Sequence, residues 1–213
     1  MKKEHVSNAV IRRLPRYFRH LTDLHDAGVV RVSSSALGKS LGVTASQIRQ
    51  DLSCFGEFGQ QGYGYNVEAL RNEIADILGI NNRRTAIVLG AGNLGRALLE
   101  NFHFSRSGFD LTAAFDINPA IVGTTIGSVP VYHMDGLEDY LAGEMADVVV
   151  LTVPQRVTLE VADRLVKAGV RAIWNFTNIE LNITEPGVIV EDVHFADSLL
   201  ALGYMISVRD KGN

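Results

Sequence analysis

The 213-residue chain is 46% hydrophobic and 21% charged, enough for one large domain or two modest ones with a real core. Met1–His5 leads into no apolar stretch and no apolar run reaches bilayer length, so neither a signal peptide nor a transmembrane span is expected. The net charge of −4 hides an asymmetry: residues 1–60 carry nine Lys/Arg against five Asp/Glu, and the remainder eleven against nineteen. A basic end on an acidic chain points to a polyanion partner for that end. Cys54 is the single cysteine, which excludes an internal disulfide and fits a reducing cytoplasm; it reads as a small buried hydrophobe.

In chain order, Ser7 is placed to cap a helix carrying Val10, Leu14, Phe18, Leu21 and Leu24 at spacings of three and four. Pro15 is expected to kink that helix or mark its true start, because an interior proline removes an N–H and crowds the preceding turn. Arg12, Arg13, Arg16 and Arg19 fall on the opposite face. Gly28 ends the helix, and Val29–Val32 makes a short extended piece. Ala36–Leu41 reads as a short helix stopped at Gly42, and a second helix opens with Thr44 as N-cap and runs through Phe55. Leu37, Leu41, Val43, Ile48 and Leu52 are spaced to fill the core between them, which is the helix-turn-helix pattern. Its outward side chains would be Thr44, Ser46, Gln47, Arg49, Gln50 and Ser53, and Arg49 with Gln47 or Gln50 could read bases in a major groove. A plain helical hairpin with a solvated polar face is the competing reading. Next, Gly56–Tyr65 alternates four glycines with aromatics, which suits a tight β-ribbon and hence the wing of a winged-helix domain. Asn66 then caps a helix with Val67, Leu70, Ile74, Ile77 and Leu78 that Gly79 closes, and Asn81–Arg84 is a polar linker.

The remainder alternates strands and helices, the mark of a doubly wound parallel sheet. Ala86–Leu89 is a short apolar strand, and Gly90, Ala91, Gly92, Asn93, Leu94 and Gly95 turn it into a helix. In such a G-x-G-x-x-G turn the first glycine permits the tight bend. The second lets the backbone approach a pyrophosphate, and the third lets helix and strand pack closely. The helix N-terminus supplies free N–H groups and partial positive charge. A second strand, Leu111–Phe115, ends in Asp116, 21 residues after Gly95, where a carboxylate bonds ribose hydroxyls and disfavours a 2′-phosphate. The site is therefore expected to take NAD(H) in preference to NADP(H). Asn118-Pro119 turns the chain, and residues 122–127 form a loop before a Val129–Tyr132 strand. A short Gly136–Leu141 helix, a Val148–Leu151 strand, a Thr158–Ala168 helix and an Ala172–Trp174 strand follow. Thr152, Pro154, Asn175 and Thr177 fall at the carboxyl edge of the sheet and are second-tier candidates for lining the nicotinamide side. Phe195–Val208 is a terminal helix apolar all round, which must be buried; a partner subunit is expected to cover it, with docking on the chain's own sheet as the alternative. The scattered histidines show no metal-ligand spacing, and no proton-transfer constellation is recognisable, so neither a metal nor an enzyme is expected. An NAD-dependent oxidoreductase with an oligomerising N-terminal domain remains the alternative. A third reading keeps DNA binding but makes the ligand another adenine nucleotide such as CoA.

Over essentially its whole length the chain resembles the Rex redox-sensing transcriptional repressors. The resemblance is carried by Arg13–Arg19, Val43-Thr44, Ile48-Arg49, Asp51–Ser53, Phe55-Gly56 and Gly62–Tyr65. It continues through Gly90–Gly95, Phe115–Asn118, Leu151–Pro154 and Asn175-Phe176. It implies a winged-helix DNA-binding domain at 1–80, a Rossmann NAD(H)-binding domain at 81–192 and an exchanged dimerisation helix at 193–213. It further implies a cytoplasmic homodimer on an inverted-repeat, double-stranded operator, bound when NAD+ dominates and released when NADH rises. On the cofactor side it adds Ile117, Val153 and Phe195. On the DNA side it adds Arg12, Arg13, Arg16 and the wing residues Gly59, Gln60 and Gln61. The family often has basic residues where Gln50, Gln60 and Gln61 stand, which removes phosphate contacts. Arg19 matches an interface arginine whose usual partners, an aspartate and a tyrosine, are here His194 and Asn101. Neither supplies a carboxylate for that arginine.

Overall fold

The computed structural model describes residues 6–59 and 63–211. Two compact units divide the chain, Met1–Asn82 and Arg83–Asn213. In the first, α1 (Asn8–Asp26) begins where the Ser7 hydroxyl accepts from the Val10 N–H. The helix runs through Pro15, so this proline does not mark its start. β1 (Arg31–Val32), α2 (Ser34–Leu41), α3 (Ala45–Ser53), β2 (Tyr65–Asn66) and α4 (Val67–Leu78) follow. Leu14, Tyr17 and Leu21 of α1 close over Leu37, Ile48, Leu52, Leu70 and Ile74 in one apolar core. The turn between α2 and α3 is tight: a Cβ at Gly38 would lie 2.6 Å from the Val43 carbonyl oxygen. Thr44 caps α3 by accepting from the Gln47 N–H. That helix stops at Ser53 rather than Phe55, because Cys54 and Phe55 turn back with i−3 bonds to Asp51 and Leu52. Cys54 is exposed, against the expectation of burial.

Of the glycine-rich segment, residues 56–59 and 63–65 are described, and the tip of the expected ribbon is not. β2 pairs antiparallel with β1, Val32 opposite Tyr65, and residues 56–59 form no strand. A Cβ at Gly59 would meet the Gly64 carbonyl at 2.9 Å, so the two limbs of the loop come together. Gln60, Gln61 and Gly62 lie outside the described residues.

The second unit is a seven-stranded sheet in the order β5-β6-β4-β3-β7-β8-β9. Its strands are β3 (Arg84–Leu89), β4 (Phe109–Asp116), β5 (Thr125–Ile126), β6 (Val129–His133), β7 (Val148–Leu151), β8 (Ala172–Asn175) and β9 (Ile189–Asp192). All pairings are parallel except β5 with β6, which places a strand in the expected 122–127 loop. β9 lies outside the strands expected from sequence, although Val188-Ile189-Val190 is a short β-branched run. Its residues alternate between exposed and half-buried at a sheet edge. Alternation along β3 sends Ile87 and Leu89 to one core with α6 (Leu137–Gly143) and α7 (Thr158–Lys167), and Val88 to another with α5 (Asn93–Asn101). The last helix, α8 (Phe195–Lys211), leaves Leu199, Leu200, Tyr204 and Met205 more than 60% exposed.

One polar side chain organises the first core. Asp51 of α3 is fully buried, and its Oδ2 accepts from Arg13 Nε at 2.6 Å and Tyr17 OH at 2.6 Å. Oδ1 accepts from Arg13 Nη2 at 2.8 Å and Gln47 Nε2 at 2.7 Å. Burial alone would raise this carboxyl's pKa, yet the bonds from Arg13, Tyr17 and Gln47 bring it below its ordinary 3.8. Burial and the bond to Asp51 push the Tyr17 phenol up to about 12. We expect Asp51→Ala to cost the first unit about 3 kcal/mol, since it strands a buried phenol and a half-buried guanidinium. Amide exchange of α3 would register that loss. Because the folded pKa is lowered, the carboxylate's contribution is complete above 3.8 and is lost as pH falls through the folded value. Acid titration of Asp51→Asn should lack that component.

Candidate dinucleotide cleft and nucleic-acid interface

At the carboxyl end of β3 the chain turns through Gly90, whose φ of 90° is a left-handed value, and enters α5 at Asn93. A Cβ at Gly95 would sit 1.9 Å from the Gly90 carbonyl oxygen, so only a glycine brings α5 this close to the strand end. At Gly92 a Cβ would meet nothing within 4 Å. That open side, next to the free N–H groups at the start of α5, is where a pyrophosphate fits. Asp116 ends β4 beside this turn: Oδ2 accepts from the Ala91 N–H at 2.6 Å and Oδ1 from the Asn118 N–H at 2.8 Å. These bonds aim the carboxylate into a cleft of about 540 Å³ that Gly90, Gly92, Asp116, Ile117, Thr152, Val153 and Pro154 share. Thr152 closes the rim, its hydroxyl donating to the Gly90 carbonyl at 2.6 Å. Asn93, Leu94 and Gly95 form the first turn of α5.

The same cleft is lined by Met134, Asp135, Val157, Glu160, Val161 and Arg164, none of which was read from sequence. Their one sequence signal is position, directly after β6 or in the first turns after β7. Arg164 is held by Glu138 at 2.7 and 2.9 Å and by the Met134 carbonyl at 3.1 Å, which fixes that wall.

Of the expected cofactor residues, Ala91, Asn93, Leu94 and Gly95 belong to the glycine turn and the start of α5 without lining the cleft, and Asn175, Thr177 and Phe195 lie away from it, Thr177 buried. Asn175 is buried with both amide N–H groups and both carbonyl lone pairs occupied, by Ile179 O, Asp192 Oδ1, Thr177 N and Thr177 Oγ1. It has no bond left for a ligand. Phe195 stands 6.0 Å from the Phe176 ring at the root of α8, 57% exposed. His194 is half-buried just before it. Asn101 is exposed at the end of α5, donating to Ala97 O at 3.2 Å. Arg19 is exposed on α1, in the other unit.

On the first unit, Ser46, Arg49, Gln50 and Ser53 form the exposed face of α3. Arg49 Nη1 donates to Ser34 Oγ at 3.0 Å, Ser53 Oγ donates to Gln50 O at 2.8 Å, and the Thr44 hydroxyl serves as cap. Arg13 and Gln47 were expected to point outward; both turn in to Asp51, because a fully buried carboxylate requires a counter-charge and donors. Arg12 and Arg16 are exposed, the latter donating to the Leu41 carbonyl at 3.0 Å.

A helix-turn-helix head joined to a dinucleotide cleft defines a ligand-responsive DNA-binding protein. Consistent with this, a family model described as a putative DNA-binding protein N-terminus matches residues 5–53, and one described as a CoA binding domain matches 81–179. The redox-sensing transcriptional repressor Rex of Thermoanaerobacter pseudethanolicus (strain ATCC 33223 / 39E) is 49% identical over 209 residues, covering 98% of this chain and 93% of that protein. The crystal structure of RSP in complex with β-NAD+ and operator DNA has a TM-score of 0.90 at 48% identity, covering 97% of this chain and 95% of that one. That of RSP in complex with β-NADH has a TM-score of 0.89 at 45% identity, covering 97% of both chains. The chain belongs to the Rex family of redox-sensing transcriptional repressors. Among the described residues no helix is long and apolar enough to cross a membrane, and no cluster of His, Cys, Asp and Glu could hold a metal.

The glycines separate folding from binding. We expect Gly95→Ala to destabilise the second unit by about 2 kcal/mol or more, since its neighbour is backbone that cannot yield. Gly92→Ala should leave stability within about 0.5 kcal/mol and weaken NADH binding about tenfold or more. Thermal unfolding and NADH fluorescence titration distinguish the two.

Proposed function

We propose that this chain is a repressor that binds double-stranded operator DNA through its first unit and reads the NADH/NAD+ ratio through its second. The observation that carries this is the cleft: a glycine cradle with an open pyrophosphate side and a carboxylate, Asp116, aimed at the ribose position. It shares one chain with an exposed Arg49–Gln50 helix face. When bound, the dinucleotide supplies the redox information. The chain's residues hold its phosphates with the N–H groups of α5 and its adenosine ribose with Asp116. On the DNA side Arg49 is suited to guanine O6 and N7 and Gln50 to adenine, while Ser46, Thr44, Arg12 and Arg16 serve the backbone. Gly59, Gln60 and Gln61 belong to the loop assigned to the wing. Relative to the sequence count, Arg13 contributes less positive charge to that face, because Asp51 neutralises it.

We assign α8 to a second copy of the chain. An apolar helix exposed on every side gains burial only from another surface, and a two-fold dimer presents two heads to an inverted repeat. We assign the protein to the cytoplasm, the compartment in which a bacterial repressor meets the chromosome. Carboxylate placement also favours NAD(H) over CoA as the ligand, since Asp116 would repel a phosphate on the adenosine ribose.

NADH must bind one conformation better than the other to shift anything. With an operator fragment at fixed salt, NADH should weaken binding about tenfold or more and NAD+ far less. Operator affinity indifferent to both nucleotides would contradict the sensing role. Arg49→Ala should cost about 1–3 kcal/mol of operator affinity and relax preference at one base pair, as read from binding to single-base operator variants.

A further inference from the structure

The dinucleotide cleft and the C-terminal helix are joined by a hydrogen-bonded rim whose hub is Asn175. Its saturated amide ties together the 177–179 loop and the end of β9 through four bonds of 2.6–3.0 Å. The backbone of the same residue repeats the link, Asn175 O accepting from the Val193 N–H at 2.8 Å. Two bonds from one residue therefore converge on Asp192 and Val193, directly ahead of α8. In the other direction, the Phe176 N–H donates to Leu151 O at 2.9 Å. Thr152, next to Leu151, donates to the Gly90 carbonyl of the glycine turn. A group settling against Gly90 and Thr152 bears on this rim.

The rim holds the root of α8. Beyond Phe195, whose ring meets Phe176, the large apolar side chains from Leu199 to Val208 are 45–72% exposed. At 1.5 Å per residue α8 is about 25 Å long, so turning its root by a few degrees moves its far end by about 2 Å. We propose that Asn175 and Asp192 are positioning residues: the Asn175–Asp192 bond transmits occupancy of the cleft to the direction of α8, and so to operator affinity. This rests on the NADH-responsive reading above. Asp192 is the informative member, because its carboxylate is an acceptor for a buried N–H that has no other outlet once the side chain is removed.

Full-length Asp192→Ala and Asp192→Asn test the assignment, with three readouts: NADH affinity by fluorescence, operator affinity with and without NADH, and amide exchange at residues 193–197 without nucleotide. Asp192→Ala is expected to keep NADH affinity within about threefold and nucleotide-free operator affinity unchanged. It should reduce the weakening of operator binding by NADH about fivefold or more and speed exchange at Val193. Asp192→Asn retains a carbonyl acceptor and should restore most of the effect. If Asp192→Ala does not fold, Asp192→Ser, too short to reach Asn175, carries the same expectation. A full NADH effect in Asp192→Ala, or unaltered exchange at Val193, overturns the joint. A wild-type protein whose operator binding ignores NADH overturns the functional reading instead, and this assignment with it.

Discussion

The close approach of Gly95 to the Gly90 carbonyl is the contact on which the second unit's function depends. It brings the N-terminus of α5 against the end of β3, leaves Gly92 open, and lets Asp116 reach the Ala91 N–H. Any side chain at 95 would push the helix back and remove the cradle, while one at 92 would leave the helix in place and fill it. Because Thr152 bonds the same carbonyl, the β7 edge is registered to the glycine turn as well. Through Leu151, Phe176 and Asn175 the constraint extends to the root of α8. One backbone contact thus sets both the binding surface and the frame from which the last helix departs.

The first unit is organised by an opposite kind of interaction, a buried charge. Replacing Asp51 together with its partners by apolar residues of similar volume would cost little stability, whereas removing Asp51 alone strands the groups that bond it. Its use of Arg13, Tyr17 and Gln47 fixes α3 against α1 with directional bonds. That trades two outward-facing polar groups for a defined orientation of Ser46, Arg49 and Gln50. The remaining positive charge on this face is modest, so DNA affinity should depend on a few well-placed groups more than on a broad field.

Much of this was legible in the residues. The helix caps Ser7, Thr44 and Asn66, the Val148–Leu151 strand and the glycine turn all follow local rules of hydrogen bonding and periodicity, and the structure places them as read. What was not legible is tertiary. Arg13 lies on the polar face of α1 by spacing alone, and only the packing of α3 against it shows that a buried carboxylate claims it. Asn175 sits at the expected sheet edge, yet its bonds go to Thr177, Ile179 and Asp192 of β9, partners that only the folded sheet edge brings to it. The far wall of the cleft comes from α7 and the turn after β6, brought in by topology with no motif to mark them.

Linkage gives the most direct check on the central claim, that the cleft and the operator face bias one equilibrium. NADH affinity should be measured with and without saturating operator DNA, and compared with operator affinity measured with and without saturating NADH. If the two sites are coupled as described, operator weakens NADH binding by the same factor that NADH weakens operator binding. An NADH affinity that operator leaves untouched would contradict it.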